Sequence, residues 1–369
     1  KSSVPTIEYL LSRGCKVVII SHLGRPDGQV NPKYSLEPVA KRLSELLDQK
    51  VIFIDDCIGP KVRTGVKHAP KGSVVLLENL RFYPGEEADD YEFAHNLAHD
   101  SQASYFVQDG FGVVHRAHAS TDAITLCLPS VAGLLLEKEY MALTGVMKDP
   151  KRPLVAVLGG AKVSDKIGVI KAFVNVADTI IIGGAMANTF LAHKGLFVGD
   201  SKVEADQGGV IDDIYEAVRA KVGRENEDSF LVLPTDVGVG TSVESTATRQ
   251  DISVQMIPAG SMALDLGPES IARIRAIVSV AATVIWNGTL GYAENPVFSV
   301  ASEALAEELA KHQTRITSIV GGGDTVDFVL GWDPKHGDSF SHVSTGGGAS
   351  IELMSGKTLP GITALLDAR

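Results

Sequence analysis

Absences narrow this chain first. It has three cysteines in 369 residues, Cys15, Cys57 and Cys127, an odd number set far apart. That spacing excludes a disulfide framework and a CxxC metal site. Cys15 and Cys57 adjoin apolar runs and read as small hydrophobes. Such cysteines fit a reducing, cytoplasmic setting. No apolar stretch reaches the roughly 20 residues that a membrane-spanning helix needs, and no basic-then-apolar leader opens the sequence. The first residue is Lys1 rather than Met, so the encoded N-terminus is expected to lie upstream. Positive charge is in deficit: the formal net charge is −11. General nucleic-acid binding wants a basic face and is excluded. Three fingerprints are missing. Without GxxxxGK[ST] there is no Walker-type NTPase. Without GxGxxG after a strand, an NAD-dependent dehydrogenase loses its main support. Without GxSxG, a serine nucleophile has none.

What is present is globular. Hydrophobic residues make up 44% and charged residues 21%, and the length suggests two domains. The charge is unevenly shared: residues 1–133 carry −2 and the remainder −9. Short β-branched runs recur at Lys16–Ile20, Val51–Ile54, Val74–Leu77, Tyr105–Val107, Leu154–Leu158, Thr179–Ile182, Phe230–Leu233, Thr283–Trp286 and Ile316–Val320. Each is followed by a polar segment, usually with glycine, and then by helical spacing. Continuous apolar strands alternating with helices predict parallel sheets buried on both faces. The fold class is α/β, with two doubly wound, Rossmann-like parallel-sheet domains joined by a hinge helix. The expected N-terminal domain is 1–133 and the C-terminal domain 134–369, with a connecting helix at about 134–148. The acidic run EEADDYE at 86–92 reads as a solvated face.

In open parallel sheets, ligands sit beyond the carboxyl ends of the strands. Four doubled or tripled glycine segments stand there in the second half. GGAKVSDKIG, 159–168, places Lys162 and Lys166 four apart, on one helical face able to grip adjacent phosphates; the alternative is a tight turn with two solvent lysines. GGAMANTF, 183–190, leaves Gly183 and Gly184 flat against a base. GGGDT, 321–325, opens a helix whose N-terminus suits an anion. Asp324 is there either an N-cap or a ligand for Mg²⁺ held through phosphate oxygens. STGGGAS, 344–350, is a further glycine segment or a linker. In WNGTLG, 286–291, Asn287 and Gly288 either hydrogen-bond a phosphate or form a turn. Glu294 is a ribose acceptor or a surface glutamate.

The first half has a basic set instead: His22 and Arg25 in SHLGRP, Arg81 in ENLRF, and His115, Arg116 and His118 in VVHRAH. All follow predicted strands. Three arginines at one mouth suit a carboxylate and a phosphate, which guanidinium forks pair bidentately. Zinc at His115 and His118 is disfavoured, because no further ligands stand at metal spacing. Two anion-binding halves without a nucleophile leave phosphoryl transfer, which needs positioning and charge neutralisation.

At these residues the chain resembles the phosphoglycerate kinases. The match runs from Lys1 to the C-terminus, in order, through SHLGRPDG, YSLEPVA, LLENLRF, DGFGVVHRAHAST, LGGAKVSDKIGVI, IIGGAMANTF, ALDLGPES, IWNGTLG, IVGGGDT and HVSTGGGAS. The resemblance implies reversible, Mg²⁺-dependent phosphoryl transfer between 1,3-bisphosphoglycerate and ADP, giving 3-phosphoglycerate and ATP. It implies that His22, Arg25, Arg81, His115, Arg116 and His118 bind 3-phosphoglycerate. It implies that Lys162, Lys166, Gly183, Gly184, Gly267, Asn287, Gly288, Glu294, Gly322, Gly323, Asp324 and Thr325 bind the nucleotide. Asp324 would carry the metal, and Lys162, Lys166, Gly323 and Gly347 would serve the transfer. It further implies a monomer, hinge closure, and a final segment, 350–369, packing back on the N-terminal domain.

Departures from the family pattern accompany the likeness. The family begins with a strand carrying VDFNVP and an arginine ahead of the position of Lys1, and neither is in this sequence. The first sheet is then expected to be one strand short, with trimming or processing as the explanation. A non-catalytic nucleotide-binding remnant is the alternative. Thr289 stands where the family usually has proline, and Gly110 and Val113–Val114 differ from the usual DAFGTAHR.

Overall fold

The computed structural model describes residues 1–369 apart from Ser245, Ala247 and Arg369. The chain divides into two compact units, Lys1–Tyr140 with Thr358–Arg369, and Met141–Lys357. The division falls inside the helix Leu134–Lys148.

In the first unit, β1 (Val17–Ile19), β2 (Val51–Ile54) and β3 (Val74–Leu77) form a parallel sheet in the order β1-β3-β2. All four residues of β3 are buried, because its two faces serve two cores. Val74 and Leu76 pack with Ile7, Leu36 and Val51, while Val75 and Leu77 pack with Ile54, Val62, Phe93 and Leu97. A strand buried on both faces cannot alternate polar with apolar, which explains the run VVLL. A second parallel pair joins β4 (Phe106–Gln108) to β5 (Ser130–Ala132). The helix Pro360–Asp367 belongs to this unit, and Gly361 N–H donates to the Val114 carbonyl at 2.9 Å.

The second unit holds a six-stranded parallel sheet in the order β14-β13-β12-β6-β7-β8. Its strands are β6 (Leu154–Leu158), β7 (Thr179–Ile182), β8 (Leu231–Val232), β12 (Thr283–Asn287), β13 (Thr317–Gly321) and β14 (His342–Val343). The chain runs outward from β6 through β7 to β8, then crosses back to β12 on the other side of β6. That reversal makes a crevice at the carboxyl ends of β6 and β12. The register aligns Leu158 with Asn287, and Asn287 with Gly321. The segments that follow, at 159, 288 and 322, therefore begin side by side.

A three-stranded antiparallel sheet, β10-β9-β11, was not expected. Its strands are β9 (Asp236–Gly240), β10 (Gln250–Ser253) and β11 (Met262–Leu266). β9 reads DVGVG and β10 reads QDIS, so neither carries an apolar run. A Cβ at Gly238 would stand 2.6 Å from the Arg249 guanidinium carbon, so any larger residue there would displace that side chain.

Candidate active site

In the first unit the basic residues are gathered by the turn after β3. Asn79 is fully buried. Its Nδ2 donates to the carbonyls of Leu23, at 2.7 Å, and Tyr34, at 3.0 Å, while its Oδ1 accepts the Arg81 N–H. Glu78 ties the same loop down, accepting from Ser35 Oγ and the Leu36 N–H. The SHLGRP loop and Arg81 are thus fastened to one another. Sequence reasoning missed Asn79 and Glu78, although both lie inside the ENLRF motif.

Arg81 is 7% exposed. One guanidinium nitrogen donates to the Gly24 carbonyl at 2.9 Å, and Nε stands 3.2 Å from Glu87 Oε1, out of line for a hydrogen bond. Burial pulls the His22 imidazole down to about 4, with Arg81 and then His118 adding repulsion. Burial likewise lowers His118, again with Arg81 next. His22, Arg81, Arg116 and His118 therefore form one electrostatic cluster, in which both histidines are held neutral. Arg116 Nε donates to His115 Nε2 at 3.3 Å, which adds His115 to the group. Arg25 is exposed on the loop, and its side chain makes no hydrogen bond or ion pair to the cluster among the described residues.

The solvated-face expectation for 86–92 fails at its first residue. Glu86 is 1% exposed. It accepts Ser120 Oγ at 2.6 Å and the Ser120 N–H at 3.1 Å, and lies 3.8 Å from His118 Nδ1. Burial raises its carboxyl above the usual range. Charge composition hid this, because a run of acids says nothing about which one turns inward.

In the second unit the crevice between β6 and β12 collects most of the predicted residues. Lys166 is 8% exposed. Its Nζ donates to the Asn287 carbonyl at 2.9 Å and to Asn287 Oδ1. Burial pulls its ammonium down to about 8, opposed by Asp165 and Asp324. Asn287 is itself fully buried, and its Nδ2 has no hydrogen-bond partner among the described residues. Because the lysine must meet the oxygen of the amide, the unpartnered donor is fixed on the other side. Lys162 is exposed, so the two lysines do not share an environment.

The glycines approach their neighbours closely. A Cβ on Gly288 would stand 2.2 Å from the Gly159 carbonyl oxygen, and its φ of +103° belongs to glycine. The Gly288 N–H donates to Thr325 Oγ1 at 2.6 Å, so Thr325 pins the turn from the next strand end. Gly183 and Gly184 abut Leu290 and the backbone of Gly160 and Thr289, and Gly267 abuts Asp236. Their small size is thereby explained by the protein's own packing. Gly323 and Gly347 are different: nothing lies within 4 Å of a Cβ at either.

Asp324 is not an N-cap. Gly322 caps the helix Gly323–Trp332, and Asp324 is its second residue, exposed in the first turn. With the capping reading removed, a free carboxylate beside a helix N-terminus remains. Among the described residues no group of three or more His, Cys, Asp or Glu could hold a metal. A cation at Asp324 would therefore need most of its oxygens from a ligand, as Mg²⁺ bound to nucleotide phosphates does. Glu294 is exposed, with no hydrogen bond or ion pair to this crevice among the described residues.

Residues 1–357 match the family model described as Phosphoglycerate kinase. The chain is 46% identical to the phosphoglycerate kinase of Pelotomaculum thermopropionicum over 369 residues, covering 100% of this chain and 90% of that protein. It is 47% identical to the chloroplastic phosphoglycerate kinase of Volvox carteri, covering 99% of this chain and 77% of that one. The solved phosphoglycerate kinase of Coxiella burnetii superposes with a TM-score of 0.84 at 35% identity, over 100% of this chain and 90% of that one.

Proposed function

The chain belongs to the phosphoglycerate kinase family, and from that premise we propose how its residues divide the work. The reaction is reversible phosphoryl transfer from 1,3-bisphosphoglycerate to ADP, giving 3-phosphoglycerate and ATP.

The first unit binds 3-phosphoglycerate. Arg81 and Arg116 supply positive charge, Arg25 an exposed guanidinium, His22 and His118 neutral donors, and His115 a further ring nitrogen. Neutral histidines fit this task, because the arginines already supply the charge. The substrate carboxylate must stay ionised to attack phosphorus, and guanidinium groups keep it so.

The second unit binds the nucleotide. One observation carries this reading: a buried ammonium and an unpartnered buried amide donor share the crevice where β6 and β12 end. Lys166 neutralises charge on the transferred group, and Asn287 Nδ2 donates to a phosphoryl oxygen. Lys162, Gly288, Gly322, Gly323 and Thr325 line the phosphates. Gly347 leaves open space for them, and Gly183, Gly184, Gly267 and Glu294 border the nucleoside. Asp324 would hold Mg²⁺, which supplies charge neutralisation when bound with the nucleotide. We further propose that it acts as a monomer and that it works in the cytoplasm, the latter reading supported by the cytosolic wheat relative at 46% identity.

A coupled assay with both substrates tests the division. Arg81→Lys is expected to raise KM for 3-phosphoglycerate and leave KM for ATP alone, because an ammonium cannot replace a bidentate fork. Equal effects on both would count against it.

A further inference from the structure

Glu86 and Glu87 are neighbours on the short helix Pro84–Glu87 and do opposite things. Glu86 turns inward and is fixed by Ser120. Glu87 keeps 39% of its side chain exposed, yet its carboxylate stands 3.2 Å from a nearly buried guanidinium. It also faces the histidines. Glu87 opposes the repulsion that Arg81, His118 and Arg116 exert on His22, and it acts on His118 together with Asp89. A carboxylate has thus entered the middle of a cluster whose other members are suited to anions.

We propose that Glu87 is an internal anion of the substrate half-site, standing against Arg81 until the carboxylate or phosphate of 3-phosphoglycerate displaces it. The proposal rests on the assignment of that half-site made above. The Arg81–Glu87 contact has the marks of a displaceable pair. Nε is out of line, and no second parallel bond forms. A substrate oxyanion able to meet two guanidinium nitrogens would be the better partner. Glu87 is exposed enough to leave without burying its charge elsewhere. While it stays, Arg81 is not left as an uncompensated buried cation, a state that is costly. The arrangement lowers affinity for the substrate and for smaller anions alike, because each must first move Glu87 aside.

This gives a prediction of unusual sign. A residue that merely supports the site would weaken binding when changed, whereas removing a competitor strengthens it. Glu87→Gln keeps the shape and removes the charge. KM for 3-phosphoglycerate is expected to fall about threefold, within the range that a half-exposed ion pair can supply. KM for ATP should not move. Inorganic sulfate, as a competitive inhibitor against 3-phosphoglycerate, should become more potent by a similar factor. An unchanged or raised KM for 3-phosphoglycerate, in a variant that melts with the wild type, overturns the proposal. If Glu87→Gln melts early, Glu87→Asp keeps the charge and shortens its reach. It should give a smaller fall in KM, and no fall overturns the proposal. Failure of the underlying assignment would look different: the wild type itself would not bind 3-phosphoglycerate in a direct titration.

Discussion

Lys166 and Asn287 lie 121 residues apart in sequence, yet the lysine ammonium donates to both oxygens of that one asparagine. The contact joins the segment after β6 to the end of β12, the pair of strands that flank the crevice. It leaves the amide nitrogen of Asn287 buried and without a partner.

A charged Lys166 is needed to neutralise a transferred phosphoryl group. Lys166→Ala is therefore expected to lower kcat far more than nucleotide affinity. In the unliganded protein burial holds this lysine at about 8, so its charge is lost as pH rises through that value. The rate constant kcat/KM should fall on the alkaline side with a midpoint near 8, since it reports the free enzyme. A flat profile to pH 9.5 would contradict the assignment.

Asn287→Asp tests the same contact from the other side. A carboxylate facing the ammonium favours its charged form, which moves the alkaline limb upward. The same carboxylate replaces the unpartnered donor with a negative charge, so KM for ATP should rise by roughly tenfold or more. A variant with an unshifted limb and unchanged KM would show that the amide serves neither partner.

Glycine separates structural from ligand-facing positions. Gly288→Ala meets both a φ of +103° and a carbonyl oxygen 2.2 Å away. Thermal unfolding should show a loss of about 3 kcal/mol, or roughly 6 to 12 °C in Tm. Gly323→Ala meets nothing within 4 Å and should melt like the wild type. Its effect is expected instead on KM for ATP, where the added methyl faces the phosphates.

How much of this could be read beforehand follows from the same contrast. The central strands were legible because burial on both faces writes itself as runs such as LVAVL and VVLL. Their glycine-bearing ends were legible because close backbone approach excludes every other side chain. What escaped was long-range or polar. Asn79 holds two loops through its amide, yet in sequence it is one asparagine among others. Glu86 and Glu87 look alike in an acidic run, yet one is buried against Ser120 and the other stands partly exposed beside Arg81. β9 and β10 lack apolar runs. One of their ties is Arg249, which reaches the otherwise buried Asp265 at 2.7 Å. Asp324 reads as a possible N-cap because acids favour that place, but the cap is Gly322, two residues earlier, where the backbone has a φ of +89°.

The first unit offers a prediction whose sign differs from the usual histidine case. A histidine that gains an anionic partner is raised and stabilises the fold in acid. His22 is lowered from 6.5 to about 4, because burial and then Arg81 outweigh Glu87. Above pH 6.5 it is neutral in folded and unfolded chains alike and contributes nothing to the pH dependence. Between 6.5 and about 4 the unfolded chain binds the proton and the folded chain does not, so stability falls as pH falls. Below about 4 both states are protonated and the loss levels off. Urea unfolding of wild type and His22→Gln should therefore diverge through that window, with the wild type losing more. The His22 ring resonances should titrate near 4 in the folded protein. A midpoint near 6.5, with parallel stability curves, would mean that the imidazole is solvated and lies outside the basic cluster.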